Sequence, residues 1–130
     1  MGAVTRSALV PVTDRIVLTM PTDARLRSVA TLVLGGVGSR LDLPFERTDD
    51  LQLAVLSALE AANGDHVTFE VDADADGLLL AIGPVRAGSG EDEALLRVLS
   101  RLVDGVQQEH RDGDEWLTLR LSEVAASPKP

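Results

Sequence analysis

The fold class that the sequence predicts is a two-layer α/β sandwich, with helices on one face of a mixed, mostly antiparallel sheet. Three observations point there. The periodicity of apolar residues runs strand, helix, helix, strand, strand, helix, strand, strand. Consecutive strands are joined by short turns, which antiparallel neighbours allow and parallel ones do not. The chain has 130 residues, 45% of them hydrophobic, and no cysteine, which suits one domain whose core needs no disulfide.

The elements follow in order. Residues 1–13 show no sustained period and are expected to form a loose tail, as are residues 124–130. From Asp14 to Met20 the pattern alternates, with Ile16, Leu18 and Met20 on one side, and Pro21 ends the strand. Thr22 is placed to cap a first helix running to about Arg40, with Leu26, Val29, Ala30, Val33 and Val37 as its buried stripe. Gly35, Gly36 and Gly38 each weaken it by up to about 1 kcal/mol relative to Ala unless another backbone packs against them. After a connection from Leu41 to Arg47, Thr48 is expected to cap a second helix, with Asp49 and Asp50 at the positive end of its dipole. Leu51, Ala54, Val55, Ala58, Leu59 and Ala62 form its stripe, and Asn63-Gly64 stops it. Val67, Phe69 and Val71 alternate in a half-buried strand, and a hairpin from Ala73 to Gly77 leads to the apolar run Leu78 to Ile82, suited to deeper burial. Ser89 and Asp92 resemble a capping box before a third helix with Leu95, Leu99, Leu102, Val103 and Val106 on one face. The last two strands turn at Asp112-Gly113, and Leu117, Leu119 and Leu121 share a face of the second.

Composition narrows the functional classes. Twelve basic against 21 acidic residues leave a net charge of −9, and 11 of the 12 cations are arginines scattered singly, so no basic stripe is available for nucleic acid. Without cysteine there is no thiol nucleophile and no thiolate metal site. The first eleven residues hold one arginine and no long apolar run, which predicts neither a signal peptide nor a membrane anchor, and hence a cytoplasmic chain.

Several motifs have a functional and a plain reading. Asp72, Asp74, Asp76 and Gly77 open like a calcium loop, but Gly83 stands where a bidentate Glu belongs, so a solvated hairpin is expected. Gly88-Ser89-Gly90 could offer N–H groups to a phosphate, yet no lysine follows and Glu91, Asp92 and Glu93 already crowd the helix start; an ordinary loop is expected. His66 and His110 are read as solvent-facing residues near strand ends. Trp116 is read as packing residue rather than ligand platform, and Arg25 and Arg27 as a solvated helix face.

Two stretches carry a family resemblance. Ile16-Val17-Leu18-Thr19-Met20-Pro21-Thr22-Asp23-Ala24 leads into the long first helix, and Asp49-Asp50-Leu51-Gln52-Leu53-Ala54-Val55 opens the second. Over about Asp14 to Glu123 the chain resembles the bacterial anti-sigma factor serine kinases of the GHKL ATPase superfamily, which implies the GHKL (Bergerat) type of sandwich. In that family an E-x-x-x-N box follows the L-x-L-A-V stretch; its Glu orients the attacking hydroxyl or water and its Asn holds the magnesium bridging the nucleotide phosphates. Here Ser57 stands at the Glu position and Ala61 at the Asn position. Glu60 and Asn63, the nearby substitutes, are three apart rather than four. The family's D-x-G-x-G, whose Asp binds the adenine amino group, corresponds to Ile82-Gly83-Pro84-Val85-Arg86-Ala87-Gly88, which holds no acid. Gly83, Gly88 and Gly90 are the remaining candidates for cofactor contact, and no catalytic or metal-binding residue is assigned.

The resemblance therefore implies a non-catalytic regulator, with no cofactor and a nucleotide cleft that is closed or filled. It would act by binding a sigma factor or an anti-anti-sigma protein of STAS type, often as a homodimer, with no nucleic acid and no membrane involved. The alternative is an active serine/threonine kinase using ATP and magnesium with atypical residues, Glu60 or Asp49 and Asp50. A structural or self-associating domain is a third reading.

Overall fold

The computed structural model describes residues 14–74 and 77–122. Five strands, β1 (Asp14–Pro21), β2 (His66–Asp74), β3 (Gly77–Val85), β4 (Gly105–Arg111) and β5 (Asp114–Ser122), form one sheet in the order β1-β2-β3-β5-β4. Every neighbouring pair is antiparallel. Three helices, α1 (Arg27–Arg40), α2 (Phe45–Leu59) and α3 (Glu93–Leu102), complete the sandwich. The sheet is thus antiparallel throughout the described residues rather than mixed. The expected tails, residues 1–13 and 124–130, lie outside the described residues.

The core forms where strand alternation meets the helix stripes. Val67, Phe69 and Val71 of β2, Leu78, Leu80 and Ile82 of β3, and Leu117, Leu119 and Leu121 of β5 are buried, together with Leu34, Val37, Leu51, Val55 and Leu99 from the helices. The Leu78–Ile82 run is less uniform than expected: Leu79 is exposed on the sheet's outer face, so β3 alternates like its neighbours over Leu78–Leu80. On that outer face Arg15 bonds Asp72 and Glu70, and Arg111 bonds Glu70 and Glu109.

The helix starts differ from the sequence expectation, and each difference has a local cause. Asp23, not Thr22, caps the first turn: its carboxylate accepts the Arg25 N–H at 2.9 Å. The Thr22 hydroxyl instead donates to the Gly64 carbonyl. The buried face of α1 consists of Ala30, Leu34, Val37 and Gly38, leaving Val29 exposed. That rotation points Gly35 and Gly38 at α2, where a Cβ on Gly38 would collide with the Thr48 side chain. Thr48 is therefore a contact residue inside α2. The helix begins three residues earlier, with the Pro44 carbonyl accepting from the N–H groups of Arg47 and Thr48.

Two further segments place the functional site. After α2 the chain runs back along the end of β3: Arg86 N–H donates to the Ala61 carbonyl and Asn63 N–H to the Pro84 carbonyl, and Ala61 is buried where Ala62 was expected to be. Residues Ser89–Glu91 form a short 3-10 turn, and Asp92 caps α3 by accepting from Ala94 and Leu95 N–H, so Ser89 is not the cap. Val106, expected on the third helix, lies in β4.

Candidate functional site

A cleft of about 710 Å³ opens on the helical side of the molecule. Arg27, Ser28 and Thr31 of α1 form one wall; Leu53, Leu56 and Ser57 of α2, with Glu60 and Ala61 just beyond its end, form the second. Asp92, Ala94, Leu95 and Val98 at the start of α3 form the third, and Arg86 closes one end. Leu53 and Ser57, four apart, share a face of α2, whereas α2 ends at Leu59 and Ala61 reaches the same cleft from the turn beyond it, its N–H bonding the Ala58 carbonyl rather than continuing the helix. The expectation of a closed or filled cleft is not met: Ser57 and Ala61 line an open one.

The polar groups in it are engaged with the protein. Ser57 Oγ donates to the Leu53 carbonyl at 3.0 Å, folding the hydroxyl onto its own helix. Ala61 offers a methyl group, and its carbonyl is taken by Arg86 N–H at 2.8 Å. The Glu60 carboxylate lies 3.5 Å from Arg27 Nη1, and the Glu60 carbonyl accepts from Arg86 Nη1 at 2.7 Å. Asn63 is not part of the lining. Neither are Asp49 and Asp50, which sit near the opposite end of α2. Asp50 bonds Arg47 at 3.2 Å, and burial raises its pKa against the pull of that guanidinium.

The glycines considered for cofactor contact lie elsewhere. A Cβ on Gly83 would strike the Trp116 ring, and Arg111 stacks on that ring 4.1 Å from its centroid, so Gly83 serves packing on the outer sheet face. The N–H groups of Gly88 and Gly90 both point at Glu115, donating to its two carboxylate oxygens at 2.7 and 2.6 Å. Gly88 adopts φ +90, which turns the loop so that both donors converge. Glu115 is buried, and the Gly90 N–H, ahead of those of Gly88 and the Gln108 side chain, holds its carboxyl below the ordinary Glu range against the cost of desolvation.

The remaining motifs fall as follows. Asp72 bonds Arg15, while Asp76 and the side chain of Asp74 lie outside the described residues, so the calcium-like stretch is only partly seen. His66 and His110 are exposed, and Trp116 is half-buried. Arg25 pairs with Asp23, and Arg27, its side chain 41% exposed, lines the open cleft. Among the described residues no group of three or more His, Asp or Glu is placed to hold a metal ion, and no helix is long and apolar enough to cross a membrane.

Two consequential residues were not singled out from the sequence, although a signal for each was present. Glu115 shares strand parity with Leu117, Leu119 and Leu121, and a carboxylate on the apolar side of a strand must find donors. Arg47 lies one turn before Leu51 on the buried stripe of α2, where it bonds Asp50 and Asp104. The role of Arg86 had no such signal, because it depends on where the chain returns after α2.

Fold and cleft together define an α/β sandwich with a five-stranded antiparallel sheet and an open groove on its helical side. No protein-family model matches the chain, and no curated protein does. Among solved structures the chain is similar to the crystal structure of the RsbU and RsbW domains of Rv1364c from Mycobacterium tuberculosis, with a TM-score of 0.64 at 16% sequence identity. The match covers 84% of this chain and 33% of that one, so this chain spans about a third of that protein's length. At that identity the similarity establishes the fold.

Proposed function

We propose that the chain is a non-catalytic regulator in sigma-factor control, acting by binding a sigma factor or an anti-anti-sigma protein. The single observation that carries this reading is the cleft itself. At the two positions from which a GHKL enzyme needs a carboxylate and a magnesium ligand, the wall presents a hydroxyl bonded to its own helix and a methyl group. These residues do not fit a magnesium-chelated triphosphate: one chelating oxygen is absent, and the Gly88 and Gly90 N–H groups are held by Glu115. The likeness of the fold to an RsbW domain supports the partner class.

Calorimetric titration with ATP and magnesium tests the reading. We expect no saturable heat up to millimolar nucleotide, and no transfer of labelled phosphate from ATP to a serine of a sigma-regulatory partner. Glu60 is the acid nearest the box positions, so transfer that Glu60→Gln abolishes would overturn the proposal in favour of an atypical kinase. A nucleotide dissociation constant in the micromolar range would overturn it as well.

A further inference from the structure

We propose that the cleft is the seat of an amphipathic helix from a partner protein, anchored by an acidic side chain of that helix on Arg86. The inference rests on the reading of the chain as a protein-binding regulator and names how the partner is held.

The walls argue for a helix. Leu53 on α2 and Val98 on α3 are large apolar side chains at the cleft, 45% and 44% exposed, and Leu56 and Leu95 line it beside them. An enclosed small-molecule pocket would cover such residues, whereas a groove that receives apolar anchors at helical spacing leaves them open until the partner docks. Among the described residues none of the lining belongs to a strand, so these walls offer no main-chain ladder to an extended peptide. Recognition must run through side chains. Ser57, small and half-buried, lets a helix approach closely between the two apolar walls.

Charge decides the anchor. Of the four charged side chains that the described residues bring to the cleft, Arg27 is matched by Glu60, and Asp92 is occupied as the cap of α3. Arg86 is exposed and spends one nitrogen on the Glu60 carbonyl; among the described residues no carboxylate pairs with it. A carboxylate arriving at Arg86 gains a guanidinium fork with free donors. A second copy of the chain suits the cleft poorly, because each carries a net charge of −9.

Selection of a random 16-residue peptide library displayed on phage against the full chain tests this. We expect an enriched family with apolar residues at i, i+3 or i+4, and i+7, and an acid beside them. Synthetic peptides of that family should bind Leu53→Glu and Arg86→Glu at least tenfold more weakly, and a lysine in place of the peptide's acid should restore binding to Arg86→Glu. Both sites are exposed, and an unchanged thermal midpoint confirms that each variant folds. No enriched family, or peptides that bind both variants as they bind the parent, would overturn the proposal. So would self-association of the chain that Leu53→Glu abolishes, which would identify the occupant as a second copy. Magnesium-ATP competing with the peptide would overturn the functional reading of the chain instead, so the two failures are distinguishable.

Discussion

Two N–H groups, of Gly88 and Gly90, converge on the one carboxylate of Glu115, and this residue-scale arrangement sets what happens when that group is altered. Replacing Glu115 by Gln keeps the volume, removes the charge and leaves one backbone donor poorly matched in a part-buried site; hydrogen bonds to charged groups are the stronger kind, so the expected loss is about 2 kcal/mol at neutral pH. The sign of the pH dependence follows from the depressed carboxyl. A group whose pKa is lower folded than unfolded contributes fully above its unfolded value and loses that contribution as the pH falls toward the folded one. The stability gap between parent and Glu115→Gln should therefore be constant near neutrality and shrink below the ordinary Glu range, which urea melts at a series of pH values would measure. A gap that persisted unchanged at low pH would mean that the carboxylate's charge is not what holds the loop.

At the scale of elements, the crossing of α1 and α2 turns on a close approach between Gly38 and Thr48. Two effects compete when Gly38 becomes Ala. Helix propensity favours Ala by about 1 kcal/mol, but overpacking a tight contact costs about 1–3 kcal/mol. The clash wins, so Gly38→Ala should lower stability, and adding Thr48→Ala should recover most of the loss, as a double-mutant cycle would read. The same crossing explains what sequence reasoning could and could not see. Strand parity is set by a period of two, and it placed Val67, Phe69, Val71, Leu117, Leu119 and Leu121 in the core correctly. The helix facings are harder, because by residue type Gly35 and Gly38 are weak points in a helix, whereas the position of α2 makes them the contact face; Leu34 is buried in consequence and Val29 is not. Caps failed similarly. Thr22 and Thr48 are sound N-caps by residue type, but each side chain has a partner far along the chain, Gly64 in one case and Gly38 in the other. At the site, Ala61 reaches the cleft wall from the turn beyond α2, where the helix period does not place it, and only the sharing of one wall by Leu53 and Ser57 was readable from α2 alone. That the cleft stays open was not, since it depends on α3 and on the return of the chain past Arg86.

For the whole molecule, Arg47 joins parts that are distant in sequence. Its guanidinium bonds Asp50 at 3.2 Å and Asp104 at 2.9 Å, and the same Asp104 oxygen accepts the Ser122 N–H at 2.6 Å. The start of α2, the junction of α3 with β4 and the end of β5 are thereby tied together. Arg47 is buried with its Nε unpaired, while both carboxylates keep contact with water, so Arg47→Met should cost about 1–3 kcal/mol rather than the larger penalty of stranding a fully buried charge. Chemical denaturation would measure it, with the smaller value expected if Met fills the space well. The strand order has a different kind of consequence. Among the described residues β1 is held in the sheet by β2 alone, through partners as remote along the chain as Asp14 and Ala73, with both α1 and α2 intervening. Closing so long a loop is entropically slow, whereas the β2-β3 and β4-β5 hairpins form between near neighbours. Refolding should accordingly take milliseconds to seconds, and mutations in β1 should slow refolding, because its pairing with β2 is part of the barrier, as stopped-flow measurements would read.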